Sequence, residues 1–297
     1  MTSAIPDVAV VGVQKCGTTS LARIFDLSPG LSVSEPKEPN FFNSEPAGRF
    51  YCESLRWSDR ADTYRRFFSD TSDRLTVDCS IQLAFDEVGL SRLRGFNPDV
   101  RVVVLVREPR ARAVSAALHL HRLMVMHGDE RAEDAARRPD RLFGDFAQLE
   151  RYSRYRAMLE LLRGAFTTQQ VLLLVMEEAF GEPSNACARI GDHIGRPLPF
   201  VSEHWARSWN RTTTPASGVV ERGLRTVSRM VAAVAGSGAV HAARRTGLPD
   251  RIRHRFHSPG LAAEIKRRAR EHVQRLDFSA DVAAVESWLG REVSAWQ

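Results

Sequence analysis

The stretch Val8–Thr19, V-A-V-V-G-V-Q-K-C-G-T-T, constrains this chain more than any other. Its apolar run Val8–Val11 ends at a glycine, and beyond Thr19 the apolar residues Leu21, Ile24, Phe25 and Leu27 fall at helical spacing. The reading is a strand, a glycine-bounded loop and a helix. Backbone N–H groups and the positive end of a helix dipole then converge just beyond the strand, which suits an anion. The spacing G-x-x-x-x-G from Gly12 to Gly17 is that of a phosphate-binding loop. A nucleoside triphosphatase has lysine immediately after the second glycine, where it reaches the terminal phosphates. Here that position is Thr18, and the lysine lies inside the loop as Lys15. There it sits over the first phosphate of a shorter nucleotide and over whatever is bonded to it. Taken alone, a glycine-rich turn after a strand is also a common structural junction.

Two further stretches carry chemistry. In E-P-K-E-P-N-F-F-N, Glu35–Asn43, two prolines hold the backbone extended, and Phe41 and Phe42 can anchor the loop in a core. Lys37 and Glu38 are thus presented from a stiff segment, suited to an acid or base or simply to a surface loop. In V-R-V-V-V-L-V-R-E-P-R-A-R-A-V-S, Val100–Ser115, the β-branched run Val102–Val106 predicts a central parallel strand covered on both faces. A helix then starts near Pro109. Arg107 sits at the carboxyl end of that strand, where ligands bind in open α/β sheets. Ser115 lies about two helical turns further on. Pairing of Arg107 with Glu108 or Asp99 is the structural alternative.

Q-K-C-G-T-T-S-L resembles the 5′-phosphosulfate loop of sulfotransferases that use 3′-phosphoadenosine 5′-phosphosulfate (PAPS), above all the branch acting on heparan-type sugars and its bacterial relatives. The resemblance implies that Lys15, Cys16, Gly17, Thr18, Thr19 and Ser20 contact the donor, with Lys15 also catalytic. The K-E-x-x-F-F pattern of that family carries its general base, which maps onto Glu38; Glu35 lies too far upstream of Phe41 to match. V-R-[DE]-P-x-x-R-x-x-S resembles the family's 3′-phosphate motif and implies that Arg107 and Ser115 hold the 3′-phosphate, a guanidinium fork matching phosphate oxygens. His119, four residues beyond Ser115 and on the same helix face, is a second acid–base candidate, or an ordinary helical histidine. Where relatives show E-K-T-P or E-x-S-P, this chain has Asp78, Cys79, Ser80 and Ile81, which lacks the lysine. S-R-Y at Ser153–Tyr155 resembles the family's [GS]-x-Y. Arg211, in the polar loop Trp209–Ser217, falls where relatives close the nucleotide site.

The fold expected is α/β: a P-loop-like three-layer arrangement with a central parallel sheet flanked by helices. It forms one domain over residues 1–297, with a nucleotide-binding core at about 5–200 and a helical C-terminal part at about 218–297. Short strands are expected at Leu31–Ser34, Leu75–Ser80 and Val171–Val175, and an amphipathic helix over Leu149–Phe166. Helices are also expected around Ala186–Ile194, Val219–Val234 and Leu261–Leu276, and aromatic packing over Tyr51–Phe68. Gly128–Asp145 reads as a solvated loop or short helix.

Cys16, Cys52, Cys79 and Cys187 are scattered, with no C-x-x-C pair and no zinc spacing, so free thiols and no metal are expected. Cys16 is reactive if the helix terminus lowers its pKa, and otherwise a small residue that fits the turn. No apolar run approaches the ~20 residues of a membrane span. The N-terminus has no signal core, so a cytoplasmic protein and a cytosolic acceptor are expected. The net charge of +6 suits an anionic ligand. It would also suit nucleic acid, but the basic residues are dispersed and no nucleic-acid motif accompanies them. The basic helix at Val219–Val234 could serve a subunit contact in a homodimer. The implied acceptor is a carbohydrate or small-molecule hydroxyl. The alternatives are a magnesium-dependent small-molecule kinase, with Asp78 as its best metal-binding acid, and a non-catalytic nucleotide-binding protein.

Overall fold

The β-branched and apolar runs form five strands. β1 (Val8–Gly12) leads into α1 (Thr18–Asp26) and β2 (Leu31–Val33), followed by the short α2 (Ala61–Arg65). β3 (Leu75–Asp78) precedes α3 (Glu87–Phe96), and β4 (Arg101–Val106) runs into the long α4 (Pro109–His127). Three short helices, α5 (Ala132–Arg137), α6 (Pro139–Asp145) and α7 (Gln148–Arg151), come before α8 (Tyr155–Ala165). β5 (Val171–Val175) is followed by α9 (Met176–Gly181), α10 (Pro183–Ile194) and α11 (Ser202–Ala206), and the chain continues in α12 (Pro259–Val273) and α13 (Ser279–Leu289). The computed structural model describes residues 6–44, 57, 61–68, 73–206 and 259–297. The expected helix at Val219–Val234, the loop with Arg211, and Tyr51 and Cys52 lie outside the described residues.

All five strands are parallel, in the order β2-β3-β1-β4-β5. This is the expected P-loop-like α/β fold, a parallel sheet flanked by helices. Every residue of β1 is buried, and β4 is buried from Val102 onward, as strands covered on both faces must be. β1 is central: the next two strands lie on one side of it and the last two on the other. Crossovers therefore diverge at its carboxyl end, and that is where an open α/β sheet leaves a crevice.

The chain divides into two compact units. One comprises Met1–Arg112, Glu150–Asn210 and Asp277–Gln297 and holds the sheet; the other comprises Ala113–Leu149 and Arg211–Leu276. The boundary falls within α4. In the second unit Leu142 and Phe143 are buried, and the Phe143 ring stacks on His272 of α12 at 4.4 Å between centroids. Gly128–Asp145 is thus two short helices with apolar residues turned inward. No helix among the described residues is long and apolar enough to cross a membrane.

Leu149–Phe166 is not one helix. It breaks between α7 and α8, and in the break the Ser153 hydroxyl donates to the Pro109 carbonyl at 2.8 Å and receives the Arg112 Nε–H. Elsewhere local chemistry matches the boundaries. Gly195, at φ 68°, closes α10 in the left-handed conformation, and Asp86 caps α3 by accepting the Gly89 N–H at 2.8 Å.

The aromatic segment is core. Phe41 and Phe42 are fully buried and meet edge to face at 5.2 Å; Tyr64 lies 5.0 Å from both rings, and Phe96 and Trp57 complete the cluster. The Tyr64 hydroxyl donates to Asp78 Oδ2 at 2.7 Å, while Asp78 Oδ1 accepts the Ser80 N–H at 2.7 Å. Burial pushes the Asp78 carboxyl above its ordinary pKa, against the opposing effect of these donors. With a folded-state pKa above the unfolded one, the charged carboxylate costs stability at neutral pH, and the cost fades as pH falls through the raised value. Tyr64→Phe removes one donor to the charged form and is expected to destabilise the fold by about 1–3 kcal/mol at neutral pH. The loss should shrink in acid. Urea melts at two pH values check this; a loss that does not change with pH would contradict it.

Candidate active site

Four neighbouring strands, β2, β3, β1 and β4, end side by side: the Glu35–Asn43 loop follows β2, the Gly12–Gly17 loop closes β1, and Arg107 follows β4. Adjacent strands lie about 4.8 Å apart, so the segments beyond their ends share one region. After β1 the chain turns through Val13–Gly17 into α1. Val13 N–H still bonds to Leu105 O of β4 at 2.8 Å, which holds the start of the loop against the sheet. Lys15 has φ 71°, a left-handed backbone uncommon for a side chain of its size, and it remains half-buried. A strained residue at a loop apex points to function more than to packing.

Gly17 also has a positive φ, 86°, and a Cβ built there would fall 2.6 Å from Phe180 Cε2. Both the backbone angle and the ring of α9 therefore require glycine. No side chain caps α1. The N–H groups of Thr18, Thr19 and Ser20, its first turn, thus carry the unsatisfied donors and positive dipole end that bind anions. Cys16 turns its side chain into the core, as the reading of a small residue that fits the turn expects. Its side chain is fully buried, its thiol lies 4.0 Å from the Tyr155 hydroxyl, and its N–H bonds to Val13 O at 3.2 Å. Burial pushes the thiol up to about 12, so the helix terminus does not activate it.

The Glu35–Asn43 loop is tied to the end of β3. Ser34 N–H bonds to Val77 O at 3.0 Å, Asn40 N–H to Ser80 Oγ at 2.9 Å, and Ser34 Oγ donates to Lys37 O at 3.1 Å. Arg92 of α3 holds the far side by donating to Asn43 O at 2.8 Å and Phe42 O at 3.2 Å. Within this brace Glu35 is exposed, whereas Glu38 is half-buried and paired with Lys37 at 2.5 Å. Of the two candidate carboxylates, Glu38 is the one kept near the core. Cys79 and Ile81 are both buried, so the position where relatives have lysine presents no cation.

Beyond β4, Arg107 is half-buried, with Nε 3.8 Å from Glu177 Oε1. Pairing with Glu108 does not occur, because Glu108 turns back on α4 and accepts the N–H groups of Arg110 and Ala111. The Arg107 backbone is fixed at both ends by Tyr155, whose hydroxyl donates to Arg107 O at 2.7 Å and accepts from Arg107 N–H at 3.3 Å. Arg112, the second arginine of the motif, is fully buried on Ser153, and burial pulls its pKa down. Ser115 and His119 are half-buried on the part of α4 that belongs to the second unit. Among the described residues no group of three or more His, Cys, Asp or Glu side chains is arranged to hold a metal ion.

The model of the sulfotransferase domain matches residues 5–216. The chain belongs to the sulfotransferase family. It is 25% identical over 211 residues to mouse heparan sulfate glucosamine 3-O-sulfotransferase 6, covering 67% of this chain and 55% of the relative. To mouse heparan sulfate glucosamine 3-O-sulfotransferase 5 it is 24% identical over 155 residues, 52% of this chain and 40% of that one. The chain thus spans about half the length of the curated relatives it matches. A sulfotransferase from Alicyclobacillus acidocaldarius, known from its crystal structure, superposes with a TM-score of 0.61 at 21% identity, covering 99% of both chains. That likeness is one of fold, the P-loop-like α/β arrangement.

In this sulfotransferase the sequence motifs pointed to the loop, the Glu38 segment and Arg107, and the amphipathic pattern around Tyr155 put that ring on the buried side, where it lies. Arg112 stands inside a quoted motif, but its burial on Ser153 was missed. Glu177 had only the pair E-E after a strand to mark it. The burial of Cys16 makes a direct prediction. Iodoacetamide at pH 8 should leave Cys16 unmodified in the native sulfotransferase and alkylate it after denaturation, as peptide mass mapping would show. Rapid native labelling of Cys16 would contradict the packing described.

Proposed function

We propose that this sulfotransferase moves the sulfuryl group of PAPS to a hydroxyl of a carbohydrate or small-molecule acceptor, with Glu38 as general base. The observation that carries this reading is the loop after β1: a lysine in left-handed conformation inside the turn, a glycine that admits no side chain, and an uncapped helix terminus. Such a loop suits a 5′-phosphate bearing a transferable group. It lacks the lysine after the glycine that a triphosphate needs. Lys15 stabilises negative charge on the departing phosphate, together with the N–H groups of Gly17, Thr18 and Thr19. Glu38 takes the acceptor's proton as its oxygen attacks sulfur, which requires hydrogen-bond reach between the two. Arg107, with Ser115 by resemblance to the family motif, holds the 3′-phosphate and so fixes the donor for attack.

The kinase reading is weakened by Asp78. Its two oxygens are engaged by Tyr64 and by Ser80 N–H, and burial raises its pKa, so it is poorly suited to bind magnesium. The carbohydrate-type acceptor is supported by the relatives' names, and the buried Cys79 marks a departure on the acceptor side.

Glu38→Gln is expected to lower turnover of PAPS by about a hundredfold or more, the usual share of a general base. Affinity for adenosine 3′,5′-bisphosphate should stay within about twofold of the parent protein. Release of the bisphosphate from PAPS with a panel of sugars and phenols, alongside calorimetric titration, measures both. Unchanged turnover would remove Glu38 from the mechanism, and parallel losses in binding and turnover would reassign it to the donor site.

A further inference from the structure

Arg107 is long and flexible, and a guanidinium recognises phosphate well only when its fork is aimed. Two groups beyond the motif determine how it is aimed. Glu177, at the junction of β5 and α9, has its Oε1 3.8 Å from Arg107 Nε, and the same oxygen accepts the Glu108 N–H at 3.3 Å. Its other oxygen, Oε2, accepts the indole N–H of Trp296 at 3.1 Å. Trp296 in turn packs its ring on Tyr155, 6.3 Å between centroids and tilted by 31°. The C-terminal tryptophan therefore touches both partners of Arg107: the phenol that fixes its backbone and the carboxylate that faces its side chain.

We propose that Glu177, held by Trp296, is a positioning residue that turns the Nε edge of Arg107 inward and presents its two Nη groups to the 3′-phosphate of the donor. This rests on the reading of Arg107 given above. It assigns the C-terminal segment a part in donor recognition, beyond the packing of Trp296 on Tyr155. The sign follows from the hydrogen bonds. In Glu177→Gln the single amide oxygen serves either Trp296 or Glu108. The first leaves the NH₂ against the Glu108 N–H and the guanidinium; the second leaves it against the indole N–H and frees Trp296 from its acceptor. Donor meets donor in both cases. Because the carboxylate is already engaged with Arg107 and Trp296, its loss relieves little repulsion on an incoming phosphate. Looser aim is the larger effect.

The test compares affinities for adenosine 3′,5′-bisphosphate and for AMP, which lacks the 3′-phosphate, by calorimetry on the full chain. Glu177→Gln and Trp296→Phe, which keeps a ring against Tyr155 but removes the N–H, should each weaken the bisphosphate about fivefold or more, the scale of one hydrogen bond. AMP affinity and the unliganded melting temperature should barely change, and Glu177→Asp should recover part of the loss. Equal weakening of both nucleotides, or no change in either, would overturn the proposal and leave Glu177 a structural residue. Arg107→Ala separates the two levels. If it leaves the bisphosphate-over-AMP preference intact, the 3′-phosphate reading of Arg107 fails, and the proposal with it. If it abolishes the preference while Glu177→Gln and Trp296→Phe retain it, the proposal alone fails.

Discussion

A single phenolic oxygen, that of Tyr155, holds the two halves of the site in register. It satisfies the N–H and the carbonyl of Arg107 just past the end of β4, and it meets the thiol of Cys16 inside the loop that follows β1. Parallel strands bring these segments near each other, but the strands end at Val106 and Gly12, and past the one further backbone bond from Val13 N–H to Leu105 O side chains do the work of the ladder. Buried hydrogen bonds of this kind contribute about 1 kcal/mol each, and an orphaned partner costs about 1–3 kcal/mol. Against a total stability of about 5–15 kcal/mol, a few such bonds decide whether the loop is ordered before a ligand arrives.

Order of that kind is what group transfer needs. A loop whose N–H groups already face one spot does not reorganise as charge develops there. The strained backbone at Lys15 and the steric demand at Gly17 fit this logic: both make the loop less stable as a piece of chain and more specific as a cradle. The Glu35–Asn43 loop follows the same pattern on the other side of β1, anchored by Phe41 and Phe42 in the aromatic core and clamped by Arg92. Its acid is thereby kept half-buried on a rigid support.

Much of this was legible in the chain. Apolar runs without alternation predicted the covered strands β1, β4 and β5, and Gly12 and Gly17 marked the two ends of a real loop. What escaped sequence reasoning is long-range and polar. That Ser153 would bind Arg112, in the break of a helix of good amphipathic pattern, depends on a residue 41 positions away. Glu177 and Trp296 are 119 positions apart, and neither has a local pattern that betrays the contact. Cys16 is a case where the structure chooses between two readings. Its position left an activated thiol or a small residue that fits the turn, and burial, which outweighs the dipole and raises its pKa, decides for the second.

The central claim is that the loop after β1 receives a 5′-phosphosulfate rather than a metal-bound triphosphate. Thermal stabilisation tests it most directly, since a ligand selective for the native state raises the melting temperature by mass action. Adenosine 3′,5′-bisphosphate and ATP would each be titrated with EDTA and with magnesium. The account predicts stabilisation by the bisphosphate that is larger than that by ATP and indifferent to the metal. Preferential stabilisation by magnesium–ATP would contradict it.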